Sequence, residues 1–490
     1  MKAGTMTDSS TRGQRGPAEP DSSNIHRFGA SVAQSIGIDS DELAALSPVQ
    51  ALPDWRSNLR VGELAYDSVA LASLAVALVG ADRGGIRPHA HLVAPDAAKV
   101  RASFGSEKVL RVDGVAPSIW APLSGFWKVA DGWVRTHGNY PHHAERLARL
   151  LGVPATADRS AVERAMLGWS RFELERRSAQ AGALAVAVRS SSEWEAHPQH
   201  AALRESPVVR LESVSGAVPR AWSDRGDRPL SGIRVLDLTR VIAGPVATRD
   251  LAIAGADVLR IDSPWLPEAA WQHLDTGQEK RSALLDLVDP ADLERLHALL
   301  DDVDVLVHGY RPTALSQFGL DTETLHEEYP GIVVAQLSAW GLHGPWGDRR
   351  GFDSLAQAAT GIAMIESPDD GATPGALPVQ ALDHSAAHFL AAAIVTALRA
   401  QRTSGGSHEI SISLARIADE LLAAGRRHGA PLVGETPELP TTQVPIRPAT
   451  ESGRTVVTCA PPALAFPGAP SEYPSPVHVW GSDQPRWVVE

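Results

Sequence analysis

The sequence predicts an α/β protein: a Rossmann-like parallel sheet with helices on both faces, joined to a smaller α+β domain. Short β-branched runs alternate with helical patterns between Ile233 and Leu414, the grammar of parallel strands joined by crossover helices. The residues before them are mostly helical in pattern, with one hairpin signature. A stretch rich in Gly, Pro, Ser and charge separates the two parts and reads as a linker.

Taken in order, residues 1–24 (MKAGTMTDSSTRGQRGPAEPDSSN) are polar and Gly/Pro/Ser-rich. They read as a floppy, disordered tail without the apolar centre of a signal peptide. Residues 25–222 form the smaller α+β part. Its Ala/Leu/Val-rich run 64–81 and the segments 142–151 and 161–181 read as helices, and Gly152 with Pro154 stops the second of these. Within residues 126–136, Asp131-Gly132 lies between two apolar runs and predicts a hairpin turn. Residues 213–229 are the linker.

Residues 223–430 are the sheet domain. Strands are expected at 233–238, 257–261, 303–307, 332–338 and 409–414, and helices after 241 and at 290–300, 312–328 and 383–399. Residues 431–490 are Pro-rich and predicted to wrap over the body as extended chain.

Length and composition narrow the function. At 490 residues the chain is too long for one ordinary core. With 43% apolar and 21% charged residues it is a folded globular chain. A formal net charge of -13 offers no basic face to a nucleic-acid backbone or an anionic membrane. The most apolar stretches, 69–81 and 386–398, fall short of the roughly 20 residues that span a bilayer. A single cysteine, Cys459, excludes an intrachain disulfide and a Cys-rich metal site, so a reducing, cytoplasmic setting is expected.

Ligands of open parallel sheets bind beyond the carboxyl ends of the strands. The loop from Thr239 through Arg240 to Gly244 and Pro245 is so placed. Gly244 would let a backbone approach closely, Pro245 suits a first helical turn, and Arg240 and Arg260 are at hand for a phosphate. A well-capped structural turn explains the same residues. Lys280-Arg281-Ser282 reads either as a pair of phosphate-binding cations or as solvated surface charge. Asp383, followed by His384 at the start of an Ala-rich helix, is either an N-cap or a nucleophile able to attack an acyl thioester. No carboxylate or thiolate is spaced to complete a metal site with His142-His143, which read as exposed polar residues. Ser411 and Ser413 lie outside any nucleophile elbow.

Residues 229–414 resemble, piece by piece and in order, the large domain of class III CoA-transferases, the formyl-CoA transferase-like CaiB/BaiF family. The matching runs are PLSGIRVLDLTRVIAGPVATRDLAIAGADVLRID, KRSALLDLVDPADLERLHALLDDVDVLVHGYRPTALSQFGLD, SAWGLHGPWGDRRGFDSLAQAATG and ALDHSAAHFLAAAIVTALRAQRTSGGSHEISISL. The resemblance implies that Asp383 is the catalytic aspartate, which forms acyl-anhydride and aspartyl-CoA intermediates. It implies that Arg240, Ile242, Ala243, Ser263, Tyr310, Arg311 and Arg350 contact coenzyme A, and that Asp353 lines the acyl pocket. Coenzyme A, as a substrate thioester, and a carboxylic acid are the implied partners, without a metal. A homodimer, interlocked as in relatives, or a heteromer with a homologue is implied as the assembly.

Phe352 stands where α-methylacyl-CoA racemases of the same family carry a histidine, and a phenyl ring moves no proton. Racemase or isomerase activity therefore ranks third. A catalytically inactive CoA-binding subunit ranks second, because His308-Gly309-Tyr310-Arg311-Pro312-Thr313 replaces the usual Glu-Asn-Phe-Arg-Pro-Gly. Pieces resembling the family's small domain precede the large one here, which suggests a permuted order or a fusion whose first copy decayed. Asp67 and its Ala-rich surroundings align weakly with Asp383, in favour of the fusion.

Overall fold

The computed structural model describes residues 24–84, 92–222, 226–311, 313–427, 438–447 and 455–488. The tail expected over 1–24 lies outside them except for Asn24.

The body is a seven-stranded sheet. In chain order its strands are β1 (Val209–Ser215), β2 (Arg234–Leu238), β3 (Asp257–Asp262), β4 (Arg281–Leu284), β5 (Val305–His308), β6 (Val333–Ser338) and β7 (Ser407–Ser413). Their spatial order is β1-β7-β6-β5-β2-β3-β4. All neighbours are parallel except β1, which runs antiparallel to β7. From β2 the chain steps outward to β3 and β4, then returns to β5 and steps outward the other way. The order thus reverses between β2 and β5, and the crevice at their carboxyl ends is where such a sheet holds a ligand.

Alternate residues of each strand enter different layers. Val235, Val258, Val305, Val307, Val333 and Ala335 join the larger core. Leu236, Leu259, Leu306 and Val334 face the other way, toward the helix Pro290–Leu300. The larger core is covered by α2 (Ala243–Ile253) and by α4 (Ala381–Ser404), which follows α3 (Asp353–Thr360).

Helix α1 (Val61–Gly84) packs on α4, and its buried residues run along its whole length. It is apolar on every side, as a helix enclosed by protein must be. The sequence suggested apolar stretches too short to span a bilayer, whereas α1 and α4 each run 24 residues. Both are long and apolar enough to cross a membrane, and both are buried in the protein.

The residues before the linker are therefore not a separate body: they supply α1 to the main core and β1 to the sheet edge. Residues 213–215, read as linker, belong to β1, where backbone pairing with β7 overrides their polar composition. The smaller unit proper is a three-stranded sheet, Gly125–Val129, Gly132–Thr136 and Ala185–Ala187, backed by the helices Pro141–Leu151, Arg159–Met166 and Arg171–Ala181. The expected hairpin forms, with Val129 opposite Gly132. Trp127, Val134, Leu147 and Met166 make its own core.

The carboxyl-terminal residues do more than wrap. Thr442–Arg447, Val456–Cys459 and Val477–His478 make a four-stranded sheet with Arg111–Val112. Val444, Val457, Cys459 and Val477 bury in the main core, an alternation that the density of prolines obscures in the sequence.

Candidate active site

Both α2 and α4 connect parallel strands, so both run against the strands and begin at the carboxyl edge of the sheet. They are tied side by side: His388 Nδ1 lies 2.6 Å from Asp250 Oδ2, the two residues lying equally far into their helices. The first turn of α4, with Asp383, therefore lies at the same end as the loop between β2 and α2.

That loop is built from buried charge. Asp237, at the end of β2, accepts hydrogen bonds from Thr239 N (2.8 Å), Thr248 Oγ1 (2.5 Å) and Lys280 Nζ (3.1 Å). Burial works to raise its pKa, but the Lys280 ammonium and these donors outweigh it and hold the carboxyl below its usual range. Lys280 is itself buried, which pushes its pKa down to about 8 against the pull of Asp237. The pair Lys280-Arg281 is thus neither solvated charge nor a free phosphate clamp, since Arg281 is bound to Asp257 at 2.8 Å.

Arg260 is likewise engaged, with Asp262 (2.7 Å) and Glu268 (3.1 Å). Glu268 also accepts from Tyr140 Oη (2.5 Å) and from Val241 N (3.0 Å). Val241 has φ +76°, a conformation costly for a β-branched residue. Glu268 pins it, and Tyr140 reaches in from the smaller unit. Arg240 donates to Pro267 O at 3.0 Å and covers the Tyr140 ring at 4.9 Å.

The glycine at 244 has a different reason from the one expected: a Cβ there would lie 2.3 Å from the Thr239 side chain, so the space is taken by protein. Ile242 and Ala243 are buried at the start of α2, which has no side-chain cap. Ser263 follows β3, and its hydroxyl accepts from Trp265 N at 3.3 Å. Trp265 is 74% exposed, with its indole donating to Asp286 at 2.7 Å.

Beyond β5, the Tyr310 carbonyl accepts from Gln336 Nε2 at 3.1 Å. Arg311 and Arg350 line one cleft with Arg349, Trp340 and Trp346. Burial, then the neighbouring Arg311 charge, lowers the pKa of Arg350. The structure thus places Arg240, Ile242, Ala243, Ser263, Tyr310 and Arg311 around the carboxyl ends of β2, β3 and β5, with Arg350 across the cleft from Arg311.

Asp383 lies in the first turn of α4, where Gln380 holds the N-cap position. Asp383 is therefore not the cap. Among the described residues its carboxylate has no hydrogen-bond or ion-pair partner, yet neither oxygen is among the fully enclosed unpartnered atoms. It is 7% exposed. Burial, then the charge of Asp353, raises its pKa well above the carboxylate range.

Asp353 does what Asp383 does not. Its Oδ2 accepts from Leu382 N (2.9 Å) and Asp383 N (3.0 Å), and its Oδ1 accepts from Gln357 Nε2. Gln357 in turn accepts from Leu377 N at 2.8 Å. Asp353, expected in the acyl pocket, is buried and holds the start of α4 through these hydrogen bonds. Burial pushes its pKa up to about 6 against these donors.

His142 and His143 were expected to be exposed, but His143 is buried, with both ring nitrogens unpartnered. His137 stacks on Phe352 at 3.8 Å and 8°. A histidine thus reaches the place of residue 352 from elsewhere in the chain, although burial lowers its pKa to about 3. The sequence reading missed His137, Tyr140 and Arg135; the alternation of the hairpin, which puts Trp133, Arg135 and His137 on one face, was the available signal. No group of three or more His, Cys, Asp or Glu side chains able to hold a metal occurs among the described residues.

Residues 230–429 match the family model described as CoA-transferase family III. An acetyl-coenzyme A transferase of Hypoxylon pulicicidum is 28% identical over 68% of this chain and 59% of its own length. A probable fatty acyl-CoA transferase of Mycobacterium tuberculosis is 29% identical over 40% of this chain and 53% of its own length. The human succinyl-CoA:glutarate CoA-transferase is 33% identical over 31% of this chain and 38% of its own length. The chain spans about half the length of the first two of these relatives and less of the third. The solved structure of the Mycobacterium tuberculosis protein overlaps 41% of this chain and 58% of that one at 29% identity, with a TM-score of 0.38.

Proposed function

We propose that this chain, whose residues 230–429 belong to CoA-transferase family III, moves coenzyme A from an acyl-CoA to a carboxylic acid through a covalent bond to Asp383. The observation that carries the reading is the unpartnered Asp383 carboxylate, set at the carboxyl edge of the sheet with its helical turn fixed by Asp353. A carboxylate that takes no hydrogen bond retains its lone pairs for attack. Relatives named for transfer to glutarate, citramalate and phenyllactate support the reaction class.

In the proposed reaction, ionised Asp383 attacks the thioester carbonyl, giving a mixed anhydride and expelling the CoA thiolate. The thiolate attacks the Asp383 carbonyl, forms an aspartyl-CoA thioester and releases the donor acid. The acceptor carboxylate then attacks that thioester and expels the thiolate, which recaptures the new acyl group and frees Asp383. The exposed indole of Trp265, beside Ser263, offers a stacking surface for the adenine.

Trapping tests this directly. After incubation with acyl-CoA, hydroxylamine or borohydride should leave a modified Asp383 in a peptide mass map, and Asp383→Asn should give neither product nor adduct. An unmodified Asp383 in a protein that binds coenzyme A removes the covalent step.

A second reading, a CoA-binding subunit without turnover, draws on the engagement of Arg240, Arg260 and Lys280 with Glu268, Asp262 and Asp237. Turnover by the purified chain with any acid acceptor eliminates it. We propose a homodimer in the cytoplasm as the working assembly. The order of parts, with the smaller unit first, fits a fused pair whose first copy decayed.

A further inference from the structure

Arg135 lies on the second strand of the hairpin, Gly132–Thr136, whose other face packs into the core of the smaller unit through Val134. Its guanidinium carbon stands 4.9 Å from the Trp120 ring and 4.8 Å from the Phe126 ring. Among the described residues it has no hydrogen-bond or ion-pair partner, and its Nε is fully enclosed and unpartnered. Burial lowers its pKa to about 10.

Arg135 is half-buried, and partial withdrawal of a cation from water without an ion-pair partner carries a cost that an anion would relieve. Two buried cations of the loop between β2 and α2 and its surroundings have carboxylates: Lys280 has Asp237 and Arg260 has Asp262. Arg135 has two aromatic faces, which orient the guanidinium and leave its terminal N–H groups open to a ligand while Nε stays enclosed and unpartnered.

Its position gives the anion a role. The charge of Arg135 acts on Asp353, the residue that holds the start of α4, and Asp353 in turn acts on Asp383. His137, two residues on, stacks on Phe352 directly before Asp353. Arg135 therefore lies beside the reaction centre at a remove from the nucleophile. A guanidinium in contact with the reacting carboxylate would blunt its attack. One set farther away can hold a second negative group on the same small molecule.

We infer that Arg135, clamped between Trp120 and Phe126, binds the distal carboxylate of a dicarboxylic acid, whether it enters as the free acceptor or as the acyl group of the donor thioester. This rests on the proposed transferase reading for its meaning, but binding can be measured without turnover. The planar fork of arginine suits a carboxylate taken at both oxygens.

The test uses the full chain with Arg135→Gln, Arg135→Lys and Trp120→Ala. Calorimetric titration with glutarate should show binding to wild type, weakened about 10- to 100-fold in Arg135→Gln, the range of one charge-assisted pair. Arg135→Lys should recover part of it, and Trp120→Ala should weaken it less. Butyrate, without the second carboxylate, should bind wild type and Arg135→Gln equally. In turnover, Arg135→Gln should raise KM for glutarate while leaving KM for butyrate and the Kd of coenzyme A unchanged. Melting of Arg135→Gln at or above the wild-type temperature separates an unpaired binding cation from a structural one. Absence of glutarate binding by wild type, or equal losses for glutarate and butyrate, overturns the inference. Loss of coenzyme A affinity alone would reassign Arg135 to a CoA phosphate. An Asp383 that no acyl-CoA modifies, with glutarate binding still dependent on Arg135, would sink the transferase reading and spare the site.

Discussion

Asp353 and Asp383 form a pair of carboxyl groups with divided tasks. One accepts the helix N–H groups and the other accepts none. Asparagine at 353 keeps an acceptor oxygen for those donors but removes the charge that helps to raise the pKa of Asp383. In Asp353→Asn the acid limb of the kcat/KM profile should therefore move to lower pH. Asp353→Ala also loses the acceptor, and should cost about 1–3 kcal/mol of stability. Identical pH profiles for wild type and Asp353→Asn would show that the two groups do not communicate. Trp265→Ala should raise KM for the acyl-CoA donor several-fold with kcat unchanged, since stacking of a base on an exposed ring is worth roughly 1–3 kcal/mol. Steady-state kinetics at saturating acid separate the two parameters.

Glu107 gives a test of the buried charge independent of catalysis. Its Oε2 is enclosed and unpartnered, and burial, then Asp275, pushes its pKa up to about 7. A carboxyl whose pKa is higher folded than unfolded binds its proton more tightly when folded. Its stabilising contribution is complete below about pH 4.5 and is lost as pH rises toward 7. Glu107→Gln, which does not titrate, should match wild type near pH 4. At pH 8 it should be more stable by at most about 3–3.5 kcal/mol. Denaturant melts at both values decide it, and a constant difference between them would contradict the linkage.

At the scale of elements, helices α1 and α4 put similar sequences to different uses. Each has a buried aspartate early in its course, but Asp67 accepts from His26 N (3.0 Å), Gly29 N (2.9 Å) and His26 Nδ1 (2.8 Å). It thereby anchors the helix Arg27–Ile36. Asp67→Ala should cost about 2–4 kcal/mol, because at least two backbone donors lose their acceptor, and thermal melting will measure it. The parallel strands and crossover helices were legible because their apolar runs have the right periods and lengths. The hairpin was legible from Asp131-Gly132 between two apolar runs, although the loop itself is Ala130-Asp131 and Gly132 already pairs with Val129. The role of Asp353 was not, since helix capping across elements depends on a partner thirty residues away in sequence. Nor was the small sheet of the carboxyl-terminal residues, whose pairing with Arg111–Val112 is fixed by long-range contacts that no local pattern reports. Positions 280 and 281 misled for a related reason: a cation pair looks solvent-facing until Asp237 and Asp257 are known to lie beside it.

At the scale of the whole molecule, the residues before the linker complete the large sheet domain. Helix α1 lies on α4, and strand β1 pairs with the outer edge of β7. Tyr140 holds Glu268, which in turn holds the strained backbone of Val241. A chain beginning at residue 226 would expose an Ala- and Leu-rich helix face and an open strand edge, both of which promote association. It would also release the loop between β2 and α2 from Tyr140, which holds Glu268 and lies under Arg240. Such a truncated chain should bind a hydrophobic dye, lose its cooperative thermal transition and sediment as a polydisperse population. Co-expression with residues 1–222 should restore a discrete species, because the packing surfaces remain complementary when the covalent link is cut. A monodisperse, cooperatively melting 226–490 chain would mean that the sheet domain is self-sufficient, and that the earlier residues serve the site alone.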